Sequence, residues 1–324
     1  MPHSGAKTKP SVVFFGTGPV AARSLELLLE NFAIEAIVTK PRPAHHRGSV
    51  PVLTVAENHS LPTVLVSSKH EASDAVQKAN FKSNVGVLID FGIIVSRDVI
   101  DAFPRGIINS HFSLLPEWRG ADPITFSLLS GQKKTGVSLM HLVEAMDEGP
   151  LLGIGIQEDI DTLTNEELTA KLIGLSDALL RDLLPDYIVS AKKIEQSQFD
   201  IHRHVPDYPA EASYSRKLTK QDSVLDFSKS AHDLEREIRA FHGWPKSRTT
   251  IDSIDVIVTK AHVVNENELP DTKLANGDVF VHGKQLLIQT AAGALGIDAL
   301  KPAGKQEMAA QAFLAGYGSS IQKI

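Results

Sequence analysis

The chain has 324 residues, 42% hydrophobic and 22% charged, with a formal net charge of -6 and no cysteine, the balance of a globular, water-soluble protein. Without cysteine, thiol catalysis, a disulfide framework and Cys-ligated zinc or iron–sulfur sites are excluded, which fits a cytoplasmic protein. The acidic balance argues against a chain that coats nucleic acid over its whole surface, and at about 150 residues per domain the length predicts two domains.

The opening decapeptide, MPHSGAKTKP, has basic residues but no apolar core. It is therefore no secretory signal, and residues 1–10 are expected to form a disordered lead-in. No run of about 18 apolar residues follows, so no membrane span is expected. Ser11 to Phe15 reads as a strand, Gly16-Thr17-Gly18-Pro19 as a turn and VAARSLELLLEN as a helix, with Pro19 near the first helical position. Further strands are expected at Ile34 to Thr39, Thr63 to Val66 and Gly86 to Ile89, with another opening at Ile107 to Asn109, and a helix over VLTVAENHSL. Strands alternating with helices predict an α/β fold, a doubly wound, mostly parallel sheet, whose ligands sit at the carboxyl ends of its strands. Asn109 falls at such an end.

NEELTAKLIGLSDALLRDLLPDYI has a helical period, and the stretch after it is polar and proline-bearing. A first domain is therefore expected over 11–190 and a linker over 191–212. In 213–324, SAHDLEREIRAF reads as one amphipathic helix. Short strands at Ile254 to Thr259, Asp278 to Val281 and Gln285 to Gln289 suggest a smaller C-terminal β-barrel.

The richest stretch is INSHFSLLPEWRG from Ile108, followed by MDEGPLLG from Met146. Asn109 offers an amide N–H for a carbonyl oxygen that gains negative charge. His111, two residues on, shares its face in an extended segment and suits general base work near neutrality. Asp147, on a turn before Gly149-Pro150, is able to orient His111 and stabilise its charged form. Taken singly, each has a structural reading as well: a satisfied core histidine, and two turn formers.

In this order, N-x-H-x-SLLP, W-R-G and a later D-x-G resemble the formyltransferase family that uses 10-formyltetrahydrofolate. FGTGPVAARSLELLL, RGADPITFSLLSGQKKTGVSLM, YSRKLTKQDSVLDFSKSAHDLEREIRAFHGWP and LKPAGKQEMAAQAFLAGY carry the likeness over roughly residues 11 to 318, nearest to the family's methionyl-tRNA branch. The resemblance implies an OB-like barrel at the C-terminus and formyl transfer from that folate to the α-amine of initiator methionyl-tRNA, before translation initiation. It implies that Asn109 hydrogen-bonds the formyl oxygen, His111 stabilises the tetrahedral intermediate and moves protons, and Asp147 holds His111 and an ordered water. It also implies a folate pocket formed by Ser113, Leu114, Leu115 and Pro116 with Phe91, Gly92 and the chain from Met146 to Gly149. For the tRNA it implies contacts by Arg42 and Arg47 of the loop KPRPAHHRGSVP; from charge alone, Arg239, Lys246 and Arg248 are further candidates. No metal is called for, and the chain is expected to be a monomer.

The chain departs from the family pattern at Asp90-Phe91-Gly92, where a small residue followed by Tyr-Gly is usual, and at Gly243, where proline is common before Trp244-Pro245. His45-His46 stands in a loop where other residues are usual. As a metal site the pair is weak, since adjacent loop residues rarely converge on one ion. Residues 206 to 324 hold 14 Lys+Arg against 15 Asp+Glu, so any tRNA face must be a local stripe, drawn from Arg236, Arg239, Lys246, Arg248, Lys301 and Lys305. Two other readings remain. An amino-sugar nucleotide is an alternative acceptor within the same chemistry. Gly16-x-Gly18-x-x-Ala21 also fits a dinucleotide fingerprint, but the acid expected at the end of the second strand is missing, since that strand ends in Thr39-Lys40.

Overall fold

The computed structural model describes residues 9–44, 48–189, 211–271 and 273–324. Most of the lead-in and linker, Arg47 and the His45-His46 pair lie outside the described residues. By proximity of Cα atoms the chain divides into two units. One is Met1–Pro123, Thr135–Gln157 and Thr169–Tyr214, and the other Ile124–Lys134, Glu158–Leu168 and Ser215–Ile324.

In chain order the first region runs Ser11–Phe15 (β1), Pro19–Asn31 (α1), Ala33–Thr39 (β2), Pro51–Asn58 (α2), Thr63–Leu65 (β3), Lys69–Ala79 (α3), Gly86–Leu88 (β4), Arg97–Asp101 (α4) and Ile107–His111 (β5). Then come Arg119–Gly120 (β6), Pro123–Leu129 (α5), Lys134–His141 (β7), Leu151–Glu158 (β8), Asn165–Val189 (α6) and Tyr214–Ser215 (β9). The main sheet has the order β3-β2-β1-β4-β5-β7-β8. Its pairs are parallel from β3 through β5, and β7 lies antiparallel to β5. β1 is buried from Val12 onward, as expected of a central parallel strand covered on both faces. Because β1 sits between β2 and β4, the connections leave it in opposite directions. The crevice of such a sheet opens at the carboxyl ends of those strands.

Helix α2 stops at Asn58, short of the stretch expected to reach Leu61, because Ser60 takes a left-handed backbone with φ 53°. Helix α3 was not expected at all. It buries only Ala72 and Val76, too little apolar surface to make a readable stripe, and it is fixed by its Ser68 cap, whose side chain accepts from Glu71 N.

The C-terminal region runs Ala231–Ala240 (α7), Ser247–Ile251 (β10), Ile254–Val264 (β11), Val279–His282 (β12), Gln285–Gln289 (β13), Ala294–Pro302 (β14), Met308–Ala309 (β15), Ala310–Tyr317 (α8) and Gln322–Lys323 (β16). Its sheet follows β10-β11-β14-β13-β12-β16 and is antiparallel except at the β12–β16 pair. It is a curled, half-closed version of the expected barrel. Leu234 and Ile238 of α7, Phe313 of α8 and Val256, Val258, Leu286, Ile288 and Leu300 of the strands make one core. Phe313 is fully buried and stacks on Tyr317 at 5.2 Å between ring centroids. Phe313→Ala is expected to cost about 3–5 kcal/mol, read as a lower denaturant midpoint. An unchanged midpoint would remove α8 from this core.

Candidate active site

Strand β5 delivers Asn109 and His111 on one face, as period-two geometry requires. Each is only 7% exposed. In the register with β7 they lie opposite Met140 and Ser138. Ser110, between them, points the other way and shares a 2.7 Å hydrogen bond with Ser176 of α6.

Asp147 joins the pair from 36 residues further on. Its Oδ1 lies 3.4 Å from Asn109 Nδ2 and 3.7 Å from His111 Nδ1, and its Oδ2 accepts from Gly120 N at 2.8 Å. The carboxylate is therefore the hub of the site. Its residue adopts φ 53°, a left-handed conformation that aspartate and asparagine tolerate better than most side chains. The turn that presents it is pinned where His141 N donates to Pro150 O at 2.8 Å. A Cβ on Gly149 would collide with the His141 carbonyl oxygen.

The other imidazole nitrogen, Nε2, lies 3.0 Å from Trp118 O. A carbonyl oxygen only accepts, so Nε2 carries the hydrogen, and the neutral ring keeps Nδ1 as its basic atom on the Asp147 side. Trp118 itself has φ 54°. Its N–H donates to Ser213 Oγ at 2.9 Å and Arg119 N donates to Ser213 O at 2.9 Å, so Ser213 straps the 116–120 segment in place. Arg119 Nη1 also meets Glu148 Oε1 at 2.7 Å, tying this segment to the Asp147 turn.

Ser138 Oγ donates to Ser113 O at 2.8 Å and accepts from Leu115 N at 3.0 Å. Ser113, Leu114 and Leu115 are themselves buried, Pro116 is half-buried, and Phe91 packs edge-on against Phe15 at 5.5 Å. The backbone of this segment is engaged as well: Leu114 O accepts from Glu117 N at 3.0 Å and Pro116 O from Ser213 N at 3.2 Å. Gly92 is exposed, with φ 64°, and its carbonyl accepts from Lys40 Nζ at 2.8 Å.

Sequence reasoning did not single out Asp90 as a functional residue, although it marked the position as unusual. Asp90 follows β4 with φ 47°, and its carbonyl accepts from both Thr17 N and Thr17 Oγ1 at 2.9 Å. Its carboxyl lies so close to Gly18 that any Cβ there would collide with it. The residue as a whole is exposed, and its carboxyl is shielded from water on the side that lies against Gly18. That loss of water pushes its pKa up to about 6, the nearby Asp122 adds to the rise, and Lys40 opposes it. A carboxylate over the β1–α1 turn stands where a dinucleotide would set its pyrophosphate, which removes the remaining appeal of that fingerprint.

Of the expected tRNA contacts, Arg42 donates to Gly48 O at 2.8 Å. Arg239 is occupied internally, by Glu235 at 2.6 Å and the Leu163 carbonyl at 2.9 Å. Lys246 and Arg248 are exposed. Arg248, Ile257 and Lys301 form one row across β10, β11 and β14, lining a depression of about 390 Å³ together with Val224, Asp255 and Gly304. Among the described residues no group of three or more His, Cys, Asp or Glu is arranged to hold a metal ion. No helix among them is long and apolar enough to cross a membrane.

An amide donor, a basic imidazole nitrogen and a carboxylate hub at a buried strand end are groups of the kind that serve transfer of a carbonyl group to a nucleophile. Residues 11–184 match the family described as Formyl transferase, and residues 217–318 match Formyl transferase, C-terminal domain. The chain belongs to the formyl transferase family. Among solved structures it is similar to the N-formyltransferase from Helicobacter canadensis, in complex with folinic acid and dTDP-3-aminofucose. There the TM-score is 0.61 at 16% identity, covering 93% of this chain and 100% of that one. It is similar also to WlaRD, a sugar 3N-formyl transferase crystallised with dTDP and 5-N-formyl-THF (TM-score 0.61, 15% identity, 93% and 100% covered). HypX from Aquifex aeolicus in complex with tetrahydrofolic acid is similar at TM-score 0.59 and 12% identity over 97% of this chain. The chain spans about half the length of HypX, 48% of it in that structure.

Proposed function

We propose that the chain transfers the formyl group of 10-formyltetrahydrofolate to the α-amino group of initiator methionyl-tRNA. The observation that carries the chemistry is the Asp147 carboxylate within 3.4 Å of Asn109 and 3.7 Å of His111 in a chain of the formyl transferase family. The folate donor is supported by relatives of the same fold that were crystallised with folates.

In the reaction the neutral amine adds its lone pair to the formyl carbon, and the carbonyl π pair moves to oxygen. A carboxamide has two N–H bonds; Asp147 takes one from Asn109, and the second serves the oxyanion. His111 Nδ1 accepts the proton that the attacking nitrogen sheds, and Asp147 stabilises the imidazolium. Collapse of the intermediate reforms the carbonyl and breaks the bond to N10. His111 returns its proton to N10, so the products are the formamide and tetrahydrofolate. No metal takes part. The folate would rest in the pocket formed by Ser113 to Pro116 with Phe91-Gly92.

The acceptor reading is supported by the row Arg248, Ile257 and Lys301, where two exposed cations flank an aliphatic floor, a surface suited to phosphate with a base or ribose beside it. The test is formyl transfer from 10-formyltetrahydrofolate to charged initiator methionyl-tRNA, with a dTDP-amino-sugar as the competing acceptor. Formyl-methionyl-tRNA as the main product is expected. Removing Arg248 and Lys301 together should then weaken tRNA binding and lower the slope of log affinity against log salt by about 1 per cation. The amino-sugar is the second reading, favoured by the full-length coverage of the two sugar N-formyltransferases. Turnover with that acceptor alone would replace the tRNA reading.

A further inference from the structure

Three consecutive peptide planes run past the active site between Glu117 and Gly120. A peptide unit is planar, and in its trans form the C=O and the N–H point in opposite directions. In the Glu117–Trp118 plane, the carbonyl accepts from Ser113 Oγ at 2.5 Å and the N–H donates to Ser213 Oγ at 2.9 Å. In the Trp118–Arg119 plane, the carbonyl faces His111 Nε2 at 3.0 Å and the N–H donates to Ser213 O at 2.9 Å. In the next plane the Gly120 N–H donates to Asp147 Oδ2 at 2.8 Å. The first two planes are thus gripped at both edges, and Ser213 supplies one edge of each.

That grip has a conformation to hold. Trp118 lies between these planes at φ 54°, a left-handed backbone that a bulky side chain keeps only where its surroundings impose it. Ser213 comes from 95 residues downstream, just ahead of β9, which pairs with β6 in a two-stranded sheet. Its own N–H donates to Pro116 O at 3.2 Å. The hydrogen on the His111 ring, meanwhile, has two acceptors within its surroundings. Nε2 lies 3.0 Å from Trp118 O, and Nδ1 lies 3.7 Å from Asp147 Oδ1. A carboxylate is the stronger acceptor, but 3.7 Å is too long for a hydrogen bond. The carbonyl therefore keeps the hydrogen only while Trp118 stays in place.

We propose that Ser213 is a positioning residue for formyl transfer: by clamping the two peptide planes around Trp118 it holds the Trp118 carbonyl on His111 Nε2, which leaves Nδ1 bare as the base. Ser213 acts on the ring through Trp118. The inference rests on the role given to His111 in the reaction above.

Ser213→Ala removes one hydrogen bond and keeps the two made by the Ser213 backbone. The fold is therefore expected to survive, with circular dichroism as the control. The tautomer is read in the full chain by nitrogen NMR of the isotope-labelled His111 ring, assigned by its absence from His111→Ala. Spectra are taken at about pH 9, well above the ordinary histidine value near 6.5. Wild-type protein is expected to show a protonated Nε2 and a bare Nδ1. In Ser213→Ala the two signals should move toward each other, as Trp118 relaxes and the hydrogen passes to Nδ1 in part of the population. With whichever acceptor the assay above identifies, kcat should fall by about 10- to 100-fold, while KM for the folate stays within about twofold. Ser213→Thr keeps the oxygen and should restore both the ring signals and kcat. Ring signals in Ser213→Ala identical to those of wild type would overturn the proposal, as would a kcat within about twofold of it. So would a Ser213→Thr protein whose ring signals match those of Ser213→Ala. The ring is read without turnover. Absence of any formyl product would therefore sink the functional reading, while the ring signals would still decide whether Ser213 sets the tautomer.

Discussion

His111→Ala is expected to lower kcat by roughly 10²- to 10⁴-fold, the range for loss of a positioned general acid–base group, with the fold intact. The ring is 7% exposed but bonds only outward, to Trp118 O and toward Asp147, so its removal leaves the sheet ladder of β5 untouched. Asn109→Ala should cost about 10²- to 10³-fold, as for one oxyanion donor. For Asp147 the informative variant is asparagine. The residue sits at φ 53°, which asparagine accepts and alanine does not, so Asp147→Asn removes charge without distorting the turn. The three act as one unit, and the double variant of Asn109 and His111 should fall well short of the product of the two singles. Single-turnover rates, with circular dichroism as the control for folding, check all of this. Near-normal turnover in His111→Ala or Asp147→Asn would strip these residues of their roles.

Two of these three residues can be placed from sequence, because an N-x-H spacing in an extended segment has only one geometry. Asp147 is harder. Nothing local says that a turn 36 residues downstream folds back over β5, and only the family likeness joined them. Apolar side chains mislead in another way. Leu114, Leu115 and Phe91 suit a ligand pocket and a core equally well by composition, and the packing of Phe91 on Phe15 takes it for the core. Charge misleads similarly. Arg239 reads as one more cation in a basic stripe, but Glu235 stands one helical turn before it and takes its guanidinium. The parallel sheet was legible because its strands are short apolar runs between turn residues. The C-terminal sheet was legible only in pieces. Ser247–Ile251 has just two buried positions and Ala294–Pro302 contains three small residues and a proline, so neither shows a clean alternation. Asp90 was visible as an unusual residue, yet its meaning depends on Gly18, 72 residues away, and only the fold supplies that neighbour.

The steric limit on the catalytic turn gives the second large effect. Gly149→Ala sets a methyl group against the His141 carbonyl oxygen, and neither side of that contact is a flexible side chain. His141 is the last residue of β7, hydrogen-bonded to Pro150 O at 2.8 Å, so the strand holds and the turn must move. Residues 144–146 are exposed and free to shift, which limits the stability loss to the roughly 1–3 kcal/mol typical of overpacking. Asp147, however, is within that turn, and its approach to Asn109 and His111 tolerates little displacement; a misplacement of about 1 Å can cost 10²-fold. Activity is therefore expected to fall much further than stability. Gly174→Ala is the matched control: it lies in α6 with open space around it and should stabilise by up to about 1 kcal/mol with unchanged kcat. If Gly149→Ala lost stability but kept its turnover, Asp147 would have to reach His111 by a route independent of this turn, and the carboxylate would no longer be the hub of the site.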